Sequence, residues 1–490
     1  MLFNSWVFAV FLAVVFGGYH FGPRFLRGSA TGQAIWLTVC SYVFYAWQNP
    51  RLVLLLVFAC TVNAVAAQRL LEPGRDAGAR RRTLLAALGV NLAALAFFKY
   101  AALLAALVLP ASVWASVQPW LAGIPLPVGI SFFTFQGISL VVDSWRAGAA
   151  GFAGLHAAAD RAGTRWFHVK VWFFKAFFPQ LVAGPIVKAG EFFHQIGRKR
   201  LADVDWDAAA KKLVAGFFLK MVVADNLKEA TAALSYPAFL ALPKINLVAM
   251  LYGFSCQIYA DFCGYSLIAM GLAHLFGYRL PINFQHPYLS RSITEFWRRW
   301  HLSLSSWLRE YLYFPLGGNR RGRVRTYLNL FVVMFLGGLW HGAAWSYAIW
   351  GSAHGLFLGV ERLLGIARDR RAPKPLDLGG LVGIFITFNL VSALWLLFKL
   401  PNFEHVLAYI RCLAHNPGGA QPQALFVVAL FSTAVILQHV WAANAITVAR
   451  AKNLLGPRSC GWLEAGFYAT LAVAILVNAG PAGEFIYFQF

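Results

Sequence analysis

TYLNLFVVMFLGGLWHGAAWSYAIWGSAHGLFLGV, residues 326–360, runs for 35 residues without an aspartate, glutamate, lysine or arginine, between Arg325 and the Glu361–Arg362 pair. A helix needs about 20 apolar residues to cross a bilayer. Two full spans do not quite fit, so the stretch reads as a tight hairpin, a pair of short spans or a re-entrant excursion. Gly337, Gly338 and Gly342 supply turn signals around Trp340 and His341. His341 is thereby carried far into apolar surroundings, with no carboxylate near it in sequence.

The rest of the chain extends that reading. Of 490 residues, 59% are hydrophobic, 16% aromatic and only 12% charged, and the mean hydropathy is +0.61. Residues 101–142 form a second uncharged run. The expected fold is an all-α polytopic integral membrane protein with about ten to thirteen hydrophobic segments. Three apolar segments are broken by Gly or Pro: IPLPVGISF (124–132), FFPQLVAGPIV (177–187) and FLGGLWHGAAW (335–345). Irregular backbone at membrane depth is tolerated only where protein buries it or water reaches it, so these breaks point to a cavity or tunnel. No soluble domain or internal repeat is visible. The polar, proline-containing stretch 366–377 reads as a linker between membrane segments.

A formal charge of +23 raises the question of nucleic acid, but the distribution answers it. Arginines fall in the short breaks between apolar runs: Arg24 and Arg27, Arg69 to Arg82, Arg198 to Lys212, Arg291 to Arg325, and Arg362 to Lys374. That is the pattern of cytoplasmic loops facing anionic membrane lipids, and no nucleic-acid partner is expected. The first apolar run has no basic residue before it and two after it, the reverse of a cleavable signal. A retained first helix with an extracytoplasmic N-terminus is expected. The six cysteines show no C-x-x-C pairing and read as small buried hydrophobes, with no disulfide or metal site.

One stretch concentrates the remaining charge: SITEFWRRWHLSLSSWLREYLYFPLGGNRRGR, residues 292–323. Ser292 and Glu295 have the form of a capping box at a helix start. At helical spacing Trp297, His301, Leu304 and Leu308 share one face, flanked by Trp300, Trp307 and Tyr311. Arg298 and Arg309 turn to another side. Too polar to span, the segment suits an interfacial or partly inserted helix. By spacing alone, a histidine among aromatics is more often a hydrogen-bonded packing residue than a catalyst. Intramembrane ionisable groups, however, are costly and tend to be functional.

Taken together, these stretches resemble the membrane-bound O-acyltransferases, in the bacterial branch that includes alginate O-acetylases. The resemblance runs through SYVFYAWQNP (41–50), PVGISFFTFQGISLVVDSWR (127–146), FPQLVAGPIVKAGEF (178–192), residues 257–322, GGLWHGAAWSYAIWGSAHG (337–355) and FIYFQF (485–490). It covers nearly the whole chain, and the RRWH and GLWHG pair, 40 residues apart from histidine to histidine, is its most specific part. The resemblance implies a single membrane domain with N-terminal helices over 1–123, a catalytic core over 124–365 and C-terminal helices over 366–490. It implies a ring of tilted helices, with re-entrant or interfacial helices, around a central tunnel. His341 matches the family's catalytic histidine and His301 its second histidine. Trp297, Trp300, Trp340, Asp261 and Tyr265 are candidate tunnel or substrate-binding residues. Many relatives read FSGYSD where this chain reads FCGYSL, so Cys263 and Leu267 replace a hydroxyl and a carboxylate, and Lys188 stands where arginine is common.

The implied activity is O-acetyl transfer at the cytoplasmic (inner) membrane of a bacterium. Acetyl-CoA is the expected acyl donor, with no permanently bound cofactor. Arg298, Arg309, Arg320 and Arg321 are the candidate cytoplasmic ligands for its phosphates. The expected acceptor is an extracytoplasmic polysaccharide such as alginate, reached directly or through a periplasmic acetyltransferase partner. Neutral imidazole suits the removal of a hydroxyl proton near neutral pH, which makes His341 the expected general base. His301 orients the acceptor, relays the proton or stabilises the oxyanion. Alternatives are acetylation of peptidoglycan or cellulose, D-alanyl transfer to teichoic acid, and, from other classes, a transporter, a flippase or a non-catalytic scaffold.

Overall fold

The computed structural model describes residues 1–490 apart from 153, 157–160, 367–376, 482, 484 and 487–490. Most of the linker expected at 366–377 and the last four residues of FIYFQF lie outside the described residues. Helices account for the ordered structure, and among the described residues only the isolated pair Phe152 and Leu155 bridges as in a strand. Among the described residues, six helices are long and apolar enough to cross a membrane: Arg51–Leu71, Ala77–Val108, Lys244–Leu275, Leu378–Lys399, Pro422–Ala443 and Gly456–Asn478. Their environments differ. Of the apolar window in Lys244–Leu275, 89% is buried, which makes it an interior helix, whereas none of the window in Gly456–Asn478 is buried. Leu54, Phe58, Phe385, Phe426 and Leu476 are all exposed, the arrangement required of a surface that meets lipid rather than water. The chain is an all-α, multi-pass membrane protein.

The chain divides into two compact units, 1–210 with 268–281, and 211–267 with 282–490. In the first unit α1 (Trp6–Phe21), α2 (Ala30–Ala46), α3 (Leu52–Leu71), α4 (Ala77–Leu95), α5 (Ile130–Ala147) and α6 (Arg161–Ala176) are the principal helices. Short polar side chains start several of them: Ser5 accepts from the Phe8 amide, Ser29 from Gly32, and Asp76 from Gly78 and Ala79. Where α3 and α4 meet, Asn63 and Asn91 exchange two amide hydrogen bonds of 3.1 and 3.0 Å. Each also donates to a carbonyl one turn back, so a buried polar pair is satisfied inside an apolar bundle. Gly137 of α5 lies against this pair, with room for no side chain. Two of the three expected breaks occur here and touch. Gly129, at φ +75°, precedes α5 and lies so close to the Leu181 carbonyl that a Cβ would sit 2.5 Å from it; Gly184 is at φ +113°.

In the second unit, α7 (Lys244–Leu275) contributes its first 24 residues. It is followed by α8 (Ile293–Trp297), α9 (Leu302–Leu308), α10 (Arg323–His341), α11 (Trp345–Leu363), α12 (Leu378–Lys399) and α13 (Pro422–Ala443). Residues 326–360 form a hairpin of α10 and α11. Each arm is 19 residues, about 28 Å long, so it is a pair of shortened helices. The third expected break is only partly a break. Gly337 and Gly338 stay helical, and the chain turns at Gly342. Gly338 and Gly351 instead let the two backbones touch: a Cβ on Gly338 would lie 2.3 Å from the Tyr347 carbonyl oxygen, and one on Gly351 2.2 Å from that of Met334. Small residues at such crossings are what close helix packing in membranes requires.

Candidate active site

The helix expected to run from Ser292 through Tyr311 is broken, which corrects the single face on which Trp297 and His301 were to lie together. Its start is as read: Ser292 Oγ accepts from the Glu295 amide at 3.1 Å. Glu295 reaches back to the Arg291 amide and also pairs with Arg299 at 2.7 Å. The other acceptor at this helix start is Glu361 of α11, which takes the amide protons of Ile293 and Thr294. With its first turn pinned from α11, α8 ends after five residues, and the chain turns through Arg298–Trp300. Arg309–Tyr313 beyond α9 is a wide π turn.

His301 sits at the junction. It is fully buried and caps α9 with a left-handed backbone, φ +44° and ψ +54°. Only His286 shares a positive φ among non-glycine residues described. Asn283 holds the turn in place: its backbone carbonyl accepts from the Leu302 amide at 2.9 Å, and its side-chain oxygen accepts from Ser303 Oγ at 2.9 Å. The same oxygen lies 3.1 Å from His301 Nδ1, and the Asn283 amide nitrogen donates to Ser266 Oγ at 3.1 Å. An oxygen that already accepts from Ser303 acts as acceptor toward the imidazole too. The proton of neutral His301 therefore resides on Nδ1, and Nε2 keeps its lone pair. The ring stands edge-on to Phe262 of α7, 4.6 Å between centroids, and 6.1 Å from Trp340.

His341 is the last residue of α10, buried, with Gly342 as its cap. A Cβ on Gly342 would lie 2.1 Å from the Tyr347 ring, so only glycine lets the chain turn there. The imidazole packs against Trp340 at 4.9 Å, Phe398 at 5.1 Å and Trp350 at 5.4 Å. The two histidines named from sequence thus touch the same indole, that of Trp340, one from the start of a helix and the other from the end of one. Both are set in aromatic walls, and the polar neighbours of His301 are the Asn283 amide oxygen and the Ser303 hydroxyl.

The other sequence candidates are distributed around this pair. Trp300 is buried against Trp395, 4.9 Å, and Phe284, 5.0 Å, and supports the His301 turn from behind. Trp297 donates its indole N–H to His354 Nδ1 at 3.3 Å and meets Trp350, one ring removed from His341. Asp261 is engaged elsewhere on α7: Lys220 Nζ lies 2.8 Å from one of its oxygens, and the other accepts the Ile486 amide at 2.7 Å. Lys220 is shared with Asp225 at 2.6 Å, and burial raises the Asp225 carboxyl to about 6 despite that lysine. Tyr265 stacks on Phe485 at 4.6 Å. Arg298, Arg309, Arg320 and Arg321 are all exposed, the first two in separate segments and the last two adjacent in one turn. Gly317 and Gly318, at φ +105° and +55°, form a plain turn before the last two.

Four buried histidines escaped the sequence reading, His20, His274, His354 and His439, and His354 borders this site. His354 of α11 lies under the Trp297–Phe296–Trp350 cluster and fixes its own tautomer by accepting from Trp297. Its signal was its position one helical turn after Trp350, but nothing in that spacing separates a packing histidine from a reactive one.

Residues 151–398 match the sequence model of the membrane-bound O-acyltransferase family. The chain is 37% identical over 408 residues to a probable alginate O-acetylase, AlgI, of Pseudomonas aeruginosa, covering 82% of this chain and 73% of that protein. It is 34% identical to a peptidoglycan O-acetyltransferase of Helicobacter pylori, over 84% of this chain and 79% of the relative. A teichoic acid D-alanyltransferase of Streptococcus thermophilus is 29% identical over 56% of this chain.

Proposed function

The chain belongs to the membrane-bound O-acyltransferase family and is an acyltransferase, and from that premise we propose that it moves an acetyl group from cytoplasmic acetyl-CoA to hydroxyls of an extracytoplasmic polysaccharide. The acceptor is an alginate-like exopolysaccharide, reached directly or through a periplasmic acetyltransferase that receives the acetyl group first. The peptidoglycan-acetylating relative supports peptidoglycan as the second acceptor. The membrane is the bacterial inner membrane, with the N-terminus outside the cytoplasm.

His341 takes the proton from the acceptor hydroxyl as its oxygen attacks the thioester carbonyl. The carbon–sulfur bond then breaks, CoA leaves as the thiolate, and the proton held on imidazole returns to it. A positioned base of this kind contributes about two to four orders of magnitude. His301, with its proton on Nδ1, presents Nε2 to orient the acceptor or relay the proton. Arg298, Arg309, Arg320 and Arg321 attract the CoA phosphates to the cytoplasmic face as a diffuse basic field. The observation that carries this reading is the packing of His301 and His341 on the one Trp340 indole.

The test is ester-linked acetate released by mild base from each envelope and secreted glycan fraction. Cells carry the wild-type chain, His341→Ala or no chain, at equal membrane expression. Loss of acetate from one fraction in both the variant and the null is expected. Wild-type acetate with His341→Ala would remove His341 as the base and move the transporter or scaffold reading ahead.

A further inference from the structure

The stretch FIYFQF, residues 485–490, stands out in the sequence, and the acyl-transfer chemistry gives it no task. Phe485 and Ile486 are its described residues, and they are 1% and 8% exposed. The helix before them, Gly456–Asn478, has none of its apolar window buried. Between Asn478 and Phe485 the chain therefore leaves the surface of its unit and enters the interior. Its path is fixed at several points. Asn226 Nδ2 donates to the Asn478 carbonyl at 3.1 Å, and the Gly480 amide to the Met221 carbonyl at 2.8 Å. Gly480 lies so close to Asn226 that a Cβ would sit 2.8 Å from its amide nitrogen. The Ile486 amide then donates to Asp261 Oδ2 at 2.7 Å, a bond strengthened by the charge of its acceptor.

One short stretch of α7 receives this segment and also meets His301. Asp261 and Tyr265, one helical turn apart, hold it: Asp261 takes the Ile486 amide, and Tyr265 stacks on Phe485 with centroids 4.6 Å apart. Phe262, between them in sequence, touches both Phe485, at 5.7 Å, and the imidazole of His301, at 4.6 Å and edge-on. A single ring thus links Phe485 to the histidine. The contact at Nδ1 from Asn283 fixes one corner of that imidazole. The angle of the ring about this corner, and with it the aim of Nε2, is set by what packs against it, because close-packed interiors leave a side chain little room to turn.

We propose that Phe485 is a positioning residue for His301. Asp261 draws Ile486 inward, Phe485 is thereby wedged against Phe262, and Phe262 holds the imidazole at the angle that points Nε2 to its task. Asp261 serves as the anchor of the segment rather than as an acid. Lys220, 2.8 Å away, supplies the counter-charge that lets a carboxylate rest in the interior. The effect on rate rests on the acetyltransferase reading, whereas the orientation of the ring is measured with neither acyl donor nor acceptor present.

The full chain, isotope-labelled at histidine and held in lipid bilayers, is measured by solid-state NMR, with the His301 ring signals assigned by their loss in His301→Gln. Phe485→Leu keeps the apolar bulk and removes the flat ring. It is expected to move the His301 signals and leave the other histidines in place. Asp261→Leu, in which Lys220 still has Asp225, should move them too, and Asp261→Asn, whose amide oxygen still accepts from Ile486, should restore most of the wild-type spectrum. If Phe485→Leu folds poorly, as the melting temperature reports, the two Asp261 variants carry the comparison. In membranes with equal amounts of folded chain, Phe485→Leu is expected to slow acetate-ester formation about tenfold. In a His301→Ala background it should slow it no further. His301 signals unmoved by these variants, or the same fold-loss in both backgrounds, would overturn the proposal. A wild-type chain that forms no acetate ester would remove the acyl-transfer reading, and the spectra alone would then decide the positioning.

Discussion

His301 adopts a left-handed backbone, a conformation that costs about 1–3 kcal/mol for a residue with a side chain, and Asn283 is what holds it there. The amide clamps both the backbone of the turn and the imidazole. Asn283→Ala should therefore mis-set the His301 ring and lower kcat roughly ten- to a hundredfold. If the two act as a unit, adding Asn283→Ala to His301→Ala costs almost nothing further, whereas independent roles would multiply the losses. Sequence spacing singled out His301 and His341 as residues. It could not supply Asn283, since an asparagine 18 positions away carries no local signal of the contact. At the other histidine, Gly342→Ala has no space beside Tyr347. The variant should insert in the membrane at normal levels and lose most acetyl transfer, because the shift falls on His341 itself.

At the scale of elements, the 292–311 segment shows how local pattern and tertiary contact compete. Its hydrophobic spacing is that of one helix, and propensity within it offers no reason to stop at Trp297. Glu361, 68 and 67 residues on from Ile293 and Thr294, takes these two amides of the first turn and tethers α8 to α11. Asn283 then starts a second helix at Leu302. Glu361→Ala should cost about 1 kcal/mol, the ordinary value of a helix cap, seen as a lower melting temperature, and Glu361→Gln should recover only some of it. The α10–α11 hairpin tests a different force. Gly338→Leu or Gly351→Leu has to push apart touching backbones and should destabilise by about 1–3 kcal/mol, with less folded protein recovered in detergent. The hairpin's length was legible from charge alone. The placement of its turn was not, because three glycines offered equal local freedom and only packing against Tyr347 selected Gly342.

Across the whole chain, the buried Lys220–Asp225–Asp261 cluster ties the segment after Asn478 to the helices of its own unit through the Ile486 amide on Asp261, and the Gly480 amide on the Met221 carbonyl adds a second tie beside it. Removing one member of a buried ion cluster leaves charge uncompensated, at a cost of about 3–5 kcal/mol. Lys220→Met should release that segment, read as faster proteolysis between residues 478 and 486 while the remaining helices stay protected. Membrane topology is testable at the same scale. Cysteines introduced at Ser5 and in the Arg24–Arg27 loop, in a cysteine-free background, should differ in labelling by a membrane-impermeant maleimide on intact spheroplasts. Ser5 is expected to react and the loop to stay dark, and the reverse pattern would invert the orientation.

Composition, uncharged runs and the arginine distribution by themselves determined that this is a helical membrane protein, because the cost of placing charge or open backbone in hydrocarbon is paid locally, residue by residue. The motif around each histidine, likewise local, determined the family and the two imidazoles. Tertiary structure alone decided that Trp340 lies against both of them, that His301 carries its proton on Nδ1, and that Asp261 serves an ion cluster with Lys220. Those are contacts between residues tens to hundreds of positions apart. Helical periodicity extends over a few turns, so it carries no information about which distant side chain will complete a hydrogen bond or face a buried charge.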